Sequence, residues 1–185
     1  MRVADWLTGG DREVAWRGDQ RLMLSTMHCQ VVALSQRLVA QPGSHWALCF
    51  DDSYRFCVAL LACWYAGKTP VMPGHCRAAL LDERQDRLDG VLCDMPLAVS
   101  LPLLAWDDAE TQGPLPPLPE SAELVLFTSG STGAPRQVVK SLAVMEQESR
   151  WLSSLWGEPL RGCRVIASVS HQHLYGLSFR IFLPM

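Results

Sequence analysis

The run FCVALLACWYAG, Phe56–Gly67, constrains the fold most. It is apolar on nearly every side, so a helix built from it must be buried. Asp51, Asp52 and Ser53 stand just before it and are residue types that cap helix N-termini. Gly67 stands where a C-terminal glycine belongs. Short extended runs flank the helix. HWALCF precedes it, and TPVMPG follows, limited by its prolines to a sheet edge or a strand end. Apolar strands alternating with helices predict an α/β architecture, with sheets flanked by helices.

The rest of the chain continues the pattern. Ser25–Ala40 carries Met27, Val31, Leu34, Leu38 and Val39 at three- and four-residue spacing, which predicts an amphipathic helix ended by Pro42-Gly43. Residues 78–88 read as a short, charged surface helix, and GVLCD and PLAVSL as two short strands. Trp106–Ser121 is proline-rich and reads as a linker. The chain thereby divides into an α/β subdomain (residues 1–105), the linker (106–121) and a last segment (122–185). That segment reads as strand ELVLFTS, loop, strand RQVVKS, helix and strand CRVIASVS. Its helix is capped by Ser141, runs from Leu142 to about Trp156, and places Leu142, Met145, Leu152 and Leu155 on one face. The final run, HQHLYGLSFRIFLPM, is apolar and predicts self-association.

Composition removes several function classes. Hydrophobic residues make up 49%, charged residues 19%, and the net charge is −3. This suits a core-forming chain without the basic surface that nucleic acid or an anionic membrane requires. The seven cysteines, Cys29, Cys49, Cys57, Cys63, Cys76, Cys93 and Cys163, form no Cys-x-x-Cys pair. They read as small buried hydrophobes in a reducing compartment, and no metal ligand set is predicted. The charged start MRVADWLTGGDRE lacks an apolar signal region, and no apolar run is long enough to span a bilayer. The expectation is a cytoplasmic protein.

The stretch FTSGSTGAPRQVVKS, Phe127–Ser141, carries the chemistry. Small residues between two strand-like runs allow a tight loop whose backbone N–H groups turn toward an anion. Arg136 and Lys140 add positive charge. The pattern predicts a phosphate site built from Thr128, Ser129, Gly130, Ser131, Thr132 and Gly133 with Arg136 and Lys140. The G-x-x-x-x-G-K-[ST] spacing is absent, and the loop leads into a strand rather than a helix.

The same stretch resembles the phosphate-binding signature of the adenylate-forming superfamily: acyl-CoA synthetases, luciferases and nonribosomal peptide synthetase adenylation domains. Thr128, Ser129, Gly130, Ser131, Thr132, Gly133 and Pro135 match that signature in order. Arg136 stands where the family has Lys, and Gln137 where it has Gly. LLACWYAGKTPVMPG and HWALCFDDSYRFCVALLACW resemble the family's early strand and helix segments. SHQHLYGL resembles the segment whose His and aromatic line the acyl pocket. The resemblance runs from about Leu22 onward.

It implies the N-terminal part of the large domain of an ATP-dependent carboxylic acid:thiol ligase. Such an enzyme makes an acyl-adenylate from ATP, with Mg²⁺, and passes the acyl group to CoA or a carrier-protein phosphopantetheine. His173 would sit beside the acyl carboxylate as the catalytic candidate, ahead of His171. The family's adenine, ribose, hinge and catalytic-Lys segments would lie beyond Met185, so the chain is expected to be inactive alone. A fatty or aryl acid is the substrate class that the family suggests. The alternative is a non-catalytic protein of this descent that binds a nucleotide or a partner.

Overall fold

The computed structural model describes residues 2–128 and 136–185. Its centre is a six-stranded sheet. The strands are β3 (His45–Cys49), β4 (Thr69–Met72), β5 (Gly90–Cys93), β6 (Leu103–Ala105), β7 (Glu123–Thr128) and β8 (Arg136–Ser141). Their spatial order is β6-β5-β3-β4-β7-β8, parallel throughout except for the antiparallel β7–β8 pair. A separate antiparallel hairpin, β1 (Glu13–Arg17) with β2 (Gln20–Met23), precedes it.

Strand alternation explains why the central runs are apolar throughout. In β3, Trp46 and Leu48 enter one core while Ala47 and Cys49 enter the other. In β7, Leu124 and Leu126 face the first core and Val125 and Phe127 the second. A sheet covered on both faces requires such runs. The first face is covered by α1 (Leu24–Val39) and α2 (Ser53–Tyr65). On α2 every residue from Phe56 to Tyr65 is buried, as its all-round apolar sequence demands. Asp52 is its N-cap and accepts the Arg55 N–H at 2.9 Å. The β3–α2–β4 unit is a parallel crossover.

The second face is covered more thinly. The predicted helix over 78–88 shortens to α3 (Ala78–Asp82), whose Leu81 packs there with Leu88. The predicted strand PLAVSL is not a strand. β5 and β6 are parallel neighbours and need a crossover. These residues supply it, with Leu97, Val99 and Leu101 lying on the sheet face. The strand itself is Leu103–Ala105. The proline-rich residues after it run along α1, where the Thr111 N–H meets the Cys29 carbonyl at 3.1 Å. Leu115 and Leu118 pack against the first core.

After β8, Ser141 caps α4 (Leu142–Leu160) by accepting the Val144 N–H at 3.3 Å. The helix runs past Trp156, and Gly162 turns the chain beyond it with φ +74. Leu142, Met145 and Ser149 are buried, but Leu155, expected on the inner face, is 67% exposed and Trp151 is 73% exposed. The predicted strand CRVIASVS is irregular, with Ile166 88% exposed. It pairs with no strand among the described residues. The chain then forms a short helix, α5 (Leu174–Gly176), followed by a π-helical turn, Leu177–Phe182. Leu177, Ile181 and Phe182 are buried in the first core.

Candidate functional site

The parallel strands end together along one edge of the sheet, where ligands of open α/β folds bind. Thr128 ends β7 there, and the register pairs it with Arg136, so the two ends of the Gly/Ser/Thr motif are held as neighbours. Ser129, Gly130, Ser131, Thr132 and Gly133 lie outside the described residues. Arg136 opens β8, exposed and engaged by a neighbouring group. Lys140 is four residues further along β8, opposite Leu124, and its ammonium is held by the Glu148 carboxylate.

The turn after β4 links this hairpin to the histidine segment. Gly74 has φ +78, and a Cβ on it would stand 3.1 Å from the Phe127 carbonyl oxygen. Glycine is therefore required for the turn to lie against the end of β7. Two residues on, Cys76 meets Gln172, whose Nε2 is 3.2 Å from the sulfur. Gln172 Nε2 also donates to the Phe50 carbonyl at 3.3 Å.

The two histidines face different ways. His171 is 3% exposed. Its Nε2 lies 2.9 Å from the Phe50 carbonyl oxygen, its Nδ1 lies 3.2 Å from Ser53 Oγ, and its ring rests on Phe56 with centroids 4.4 Å apart. A carbonyl only accepts, so Nε2 carries the proton and Nδ1 accepts from the Ser53 hydroxyl. Burial chiefly holds the His171 pKa below 6.5, and the nearby Arg180 charge adds to this against the Phe50 bond. The ring is neutral and anchors the segment. His173 is exposed, and its backbone N–H donates to the Ser170 carbonyl at 3.2 Å. A Cβ on Gly176 would stand 2.0 Å from the Ser170 carbonyl oxygen, so this close return of the chain needs glycine.

Acidic residues complete the edge. Asp94, just past β5, has a buried side chain that accepts the backbone N–H groups of Asp51 at 2.9 Å and Asp52 at 3.1 Å. It thus fixes the turn that leads from β3 into α2. Burial would raise the Asp52 carboxyl, but the Arg55 N–H and the Arg17 guanidinium, 2.7 Å away, hold it below 3.8. Ser53 also lines a cleft of about 650 Å³ between the β1–β2 hairpin and residues 162–167, with Arg164 and Arg180 on its wall. Among the described residues no cluster of His, Cys, Asp or Glu is arranged to hold a metal ion. No helix there is long and apolar enough to cross a membrane.

Sequence reasoning missed Asp94, Gln172 and Cys76. Asp94 had a local signal, an acid directly after an apolar strand. Gln172 had none, because its partners are far away in the chain. The cysteines were read as buried filler. That holds for Cys49, Cys57, Cys63 and Cys93, but Cys29 and Cys76 are half-buried and Cys163 is exposed. Cys76 lies in a Pro-Gly turn, which could have separated it from the others.

No family model matches the chain. A sulfoacetate–CoA ligase from Cupriavidus necator is 36% identical over 170 residues, which cover 89% of this chain and 30% of that ligase. The chain thus spans about a third of the curated relative it matches. Among solved structures, the inhibitor-bound N-terminal domain of FACL13 from Mycobacterium tuberculosis superposes with a TM-score of 0.69 at 18% identity, over 91% of this chain and 49% of that one. The o-succinylbenzoate CoA synthetase of Bacillus subtilis, in complex with its acyl-adenylate intermediate, gives 0.66 at 16% identity, over 94% and 50%. In sequence and in fold, the chain corresponds to an N-terminal portion of the adenylate-forming superfamily.

Proposed function

We propose that this chain forms the phosphate-binding and part of the acyl-binding side of an ATP-dependent carboxylic acid:thiol ligase, and that it does not turn over alone. The observation that carries the reading is the 36% identity over 170 residues to a CoA ligase. In the first half-reaction a carboxylate oxygen attacks the α-phosphorus of ATP and pyrophosphate leaves. In the second, the thiol of CoA or of a carrier-protein phosphopantetheine attacks the acyl carbon and AMP leaves. Catalysis of phosphoryl chemistry is mostly positioning and charge stabilisation. Residues Thr128, Ser129, Gly130, Ser131, Thr132 and Gly133 would hold the departing phosphates through backbone and hydroxyl donors, with Arg136 at the hairpin mouth. Mg²⁺, when bound with ATP, would neutralise phosphate charge. His173 would face the acyl carboxylate, while neutral His171 fixes its segment. The cytoplasm is the compartment this chemistry suits. The relative's substrate is a small sulfonated acid, so short anionic acids should be tried first, beside fatty and aryl acids.

The test is calorimetric titration of Mg·ATP into the chain and into a Ser131→Ala/Thr132→Ala variant. Binding that the variant loses is expected, together with no acid-dependent ATP–pyrophosphate exchange. Equal binding by both would overturn the loop's role. Arg136→Ala should weaken binding about tenfold or more, as expected for a lost charged contact. Lys140→Ala should weaken it less, because Glu148 already holds that ammonium. A second reading is a binding protein of this descent without turnover, to which Arg136 in the place of the family's Lys points. Exchange that stays absent when the relative's remaining segments are supplied in trans would favour that reading.

A further inference from the structure

Residues 83–87 are a run of turns after α3, and they carry two arginines to the end of the β7–β8 hairpin. Arg84 is half-buried. Its Nη1 donates to the Pro73 carbonyl at 2.8 Å, and its guanidinium carbon lies 4.4 Å from the centroid of the Phe127 ring. One side chain thus holds the turn after β4 and the last residue that β7 gives to the second core. These are the two backbones that meet where Gly74 lies against the Phe127 carbonyl. A planar guanidinium can donate in its plane while its face covers a ring; an ammonium has no such face. Arg87 reaches the other strand. Its Nη1 donates to Gln137 Oε1 at 3.4 Å, an exposed contact, and its Nε stands 3.6 Å from the Asp86 carboxylate. Gln137 is the register partner of Phe127 and stands where the adenylate-forming signature has Gly. A glycine would offer Arg87 no side chain, so this second tie belongs to this chain's own sequence.

We infer that Arg84 is a positioning residue of the phosphate site. It locks the mouth of the β7–β8 hairpin against the turn after β4, and Arg87 supports the lock through Gln137. Phe127 is followed directly by Thr128, whose register partner is Arg136. A shift of Phe127 therefore moves both ends of the Gly/Ser/Thr motif together. Donors that stabilise charge act best when they are held in place before the ligand arrives. That the ligand is a phosphate rests on the function proposed above; the lock itself does not.

The test compares the chain with Arg84→Met, Arg84→Lys and Arg87→Ala, by residue-resolved amide exchange and by titration with Mg·ATP. Met keeps an apolar stem over Phe127 and removes the guanidinium. Arg84→Met should speed exchange at residues 127, 128, 136 and 137 about tenfold, the effect of losing one charged hydrogen bond, and leave β3 unchanged. Mg·ATP affinity should fall by a similar factor in Arg84→Met and in Arg84→Lys. Arg87→Ala should act in the same direction by only about twofold, because its contact is long and exposed. Unchanged exchange in Arg84→Met would overturn the lock whether or not the chain binds ATP. Faster exchange with undiminished binding would overturn its link to phosphate. Binding fully restored by Arg84→Lys would show that charge alone suffices, and would overturn positioning. A parent chain that binds no Mg·ATP counts against the proposed function, and exchange then decides the lock alone.

Discussion

HWALC in β3 and CRVIASVS after α4 both read as short apolar strands. Only one is a strand. β3 lies between β4 and β5, with core on both faces. Cys163–Ser170 has no strand beside it among the described residues, and its alternate residues reach only partial burial. The difference shows that alternation describes what a strand needs rather than what it finds. A strand exists once a neighbour offers a ladder and a layer covers its face.

Five experiments can break or sharpen that contrast. The largest effect is expected at Trp46, fully buried in β3. Trp46→Ala should cost ~3–5 kcal/mol in urea unfolding, the usual range for a buried large aromatic. A small loss would mean β3 is no more essential than the irregular run. Next, Gly176→Ala should cost ~1–3 kcal/mol, because the backbone of Ser170 must move. A neutral result would mean that the second region is loose throughout, and not only at residues 163–170. Third, stability should fall as pH drops below 6.5, since the unfolded histidine takes up a proton that buried His171 refuses. The slope should stay under about 1.4 kcal/mol per pH unit and vanish in His171→Gln. Fourth, Ile166→Ala should change stability by less than about 0.5 kcal/mol. A larger loss would mean this run is packed after all. Trp151→Lys with Leu155→Lys should be similarly neutral in unfolding yet reduce self-association in size-exclusion chromatography.

What was legible in the sequence follows the same line. α1, α2 and their flanking strands could be read because their signals are local: apolar spacing, Asp52 before a helix, Ser141 before another. The β7–β8 hairpin could be read from two β-branched runs around small residues. Leu155 could not, since its periodicity is helical but the burial of α4 ends near Ser149. PLAVSL misled because alternate residues do face the core, as a crossover rather than a ladder. At the site, the loop and the histidine segment were visible as motifs. Which histidine turns inward was not. That choice depends on Phe50, Ser53 and Phe56, more than a hundred positions away in the chain. Asp94 gains its role from partners 42 and 43 positions away, and Gln172 from partners 96 and 122 positions away.

The insertion of β7 beside β4 has a kinetic consequence. β3, α2 and β4 are consecutive, and β7 with β8 is a hairpin, so both units close short loops and can form early. Their seam pairs Val71 with Val125 and closes a loop of roughly fifty residues, which makes it the slower and more costly step. The two units should therefore separate along that seam before either unfolds. Amide exchange in β7 and β8 should then outpace exchange in β3, with the ends of the Gly/Ser/Thr motif belonging to the unit that opens first.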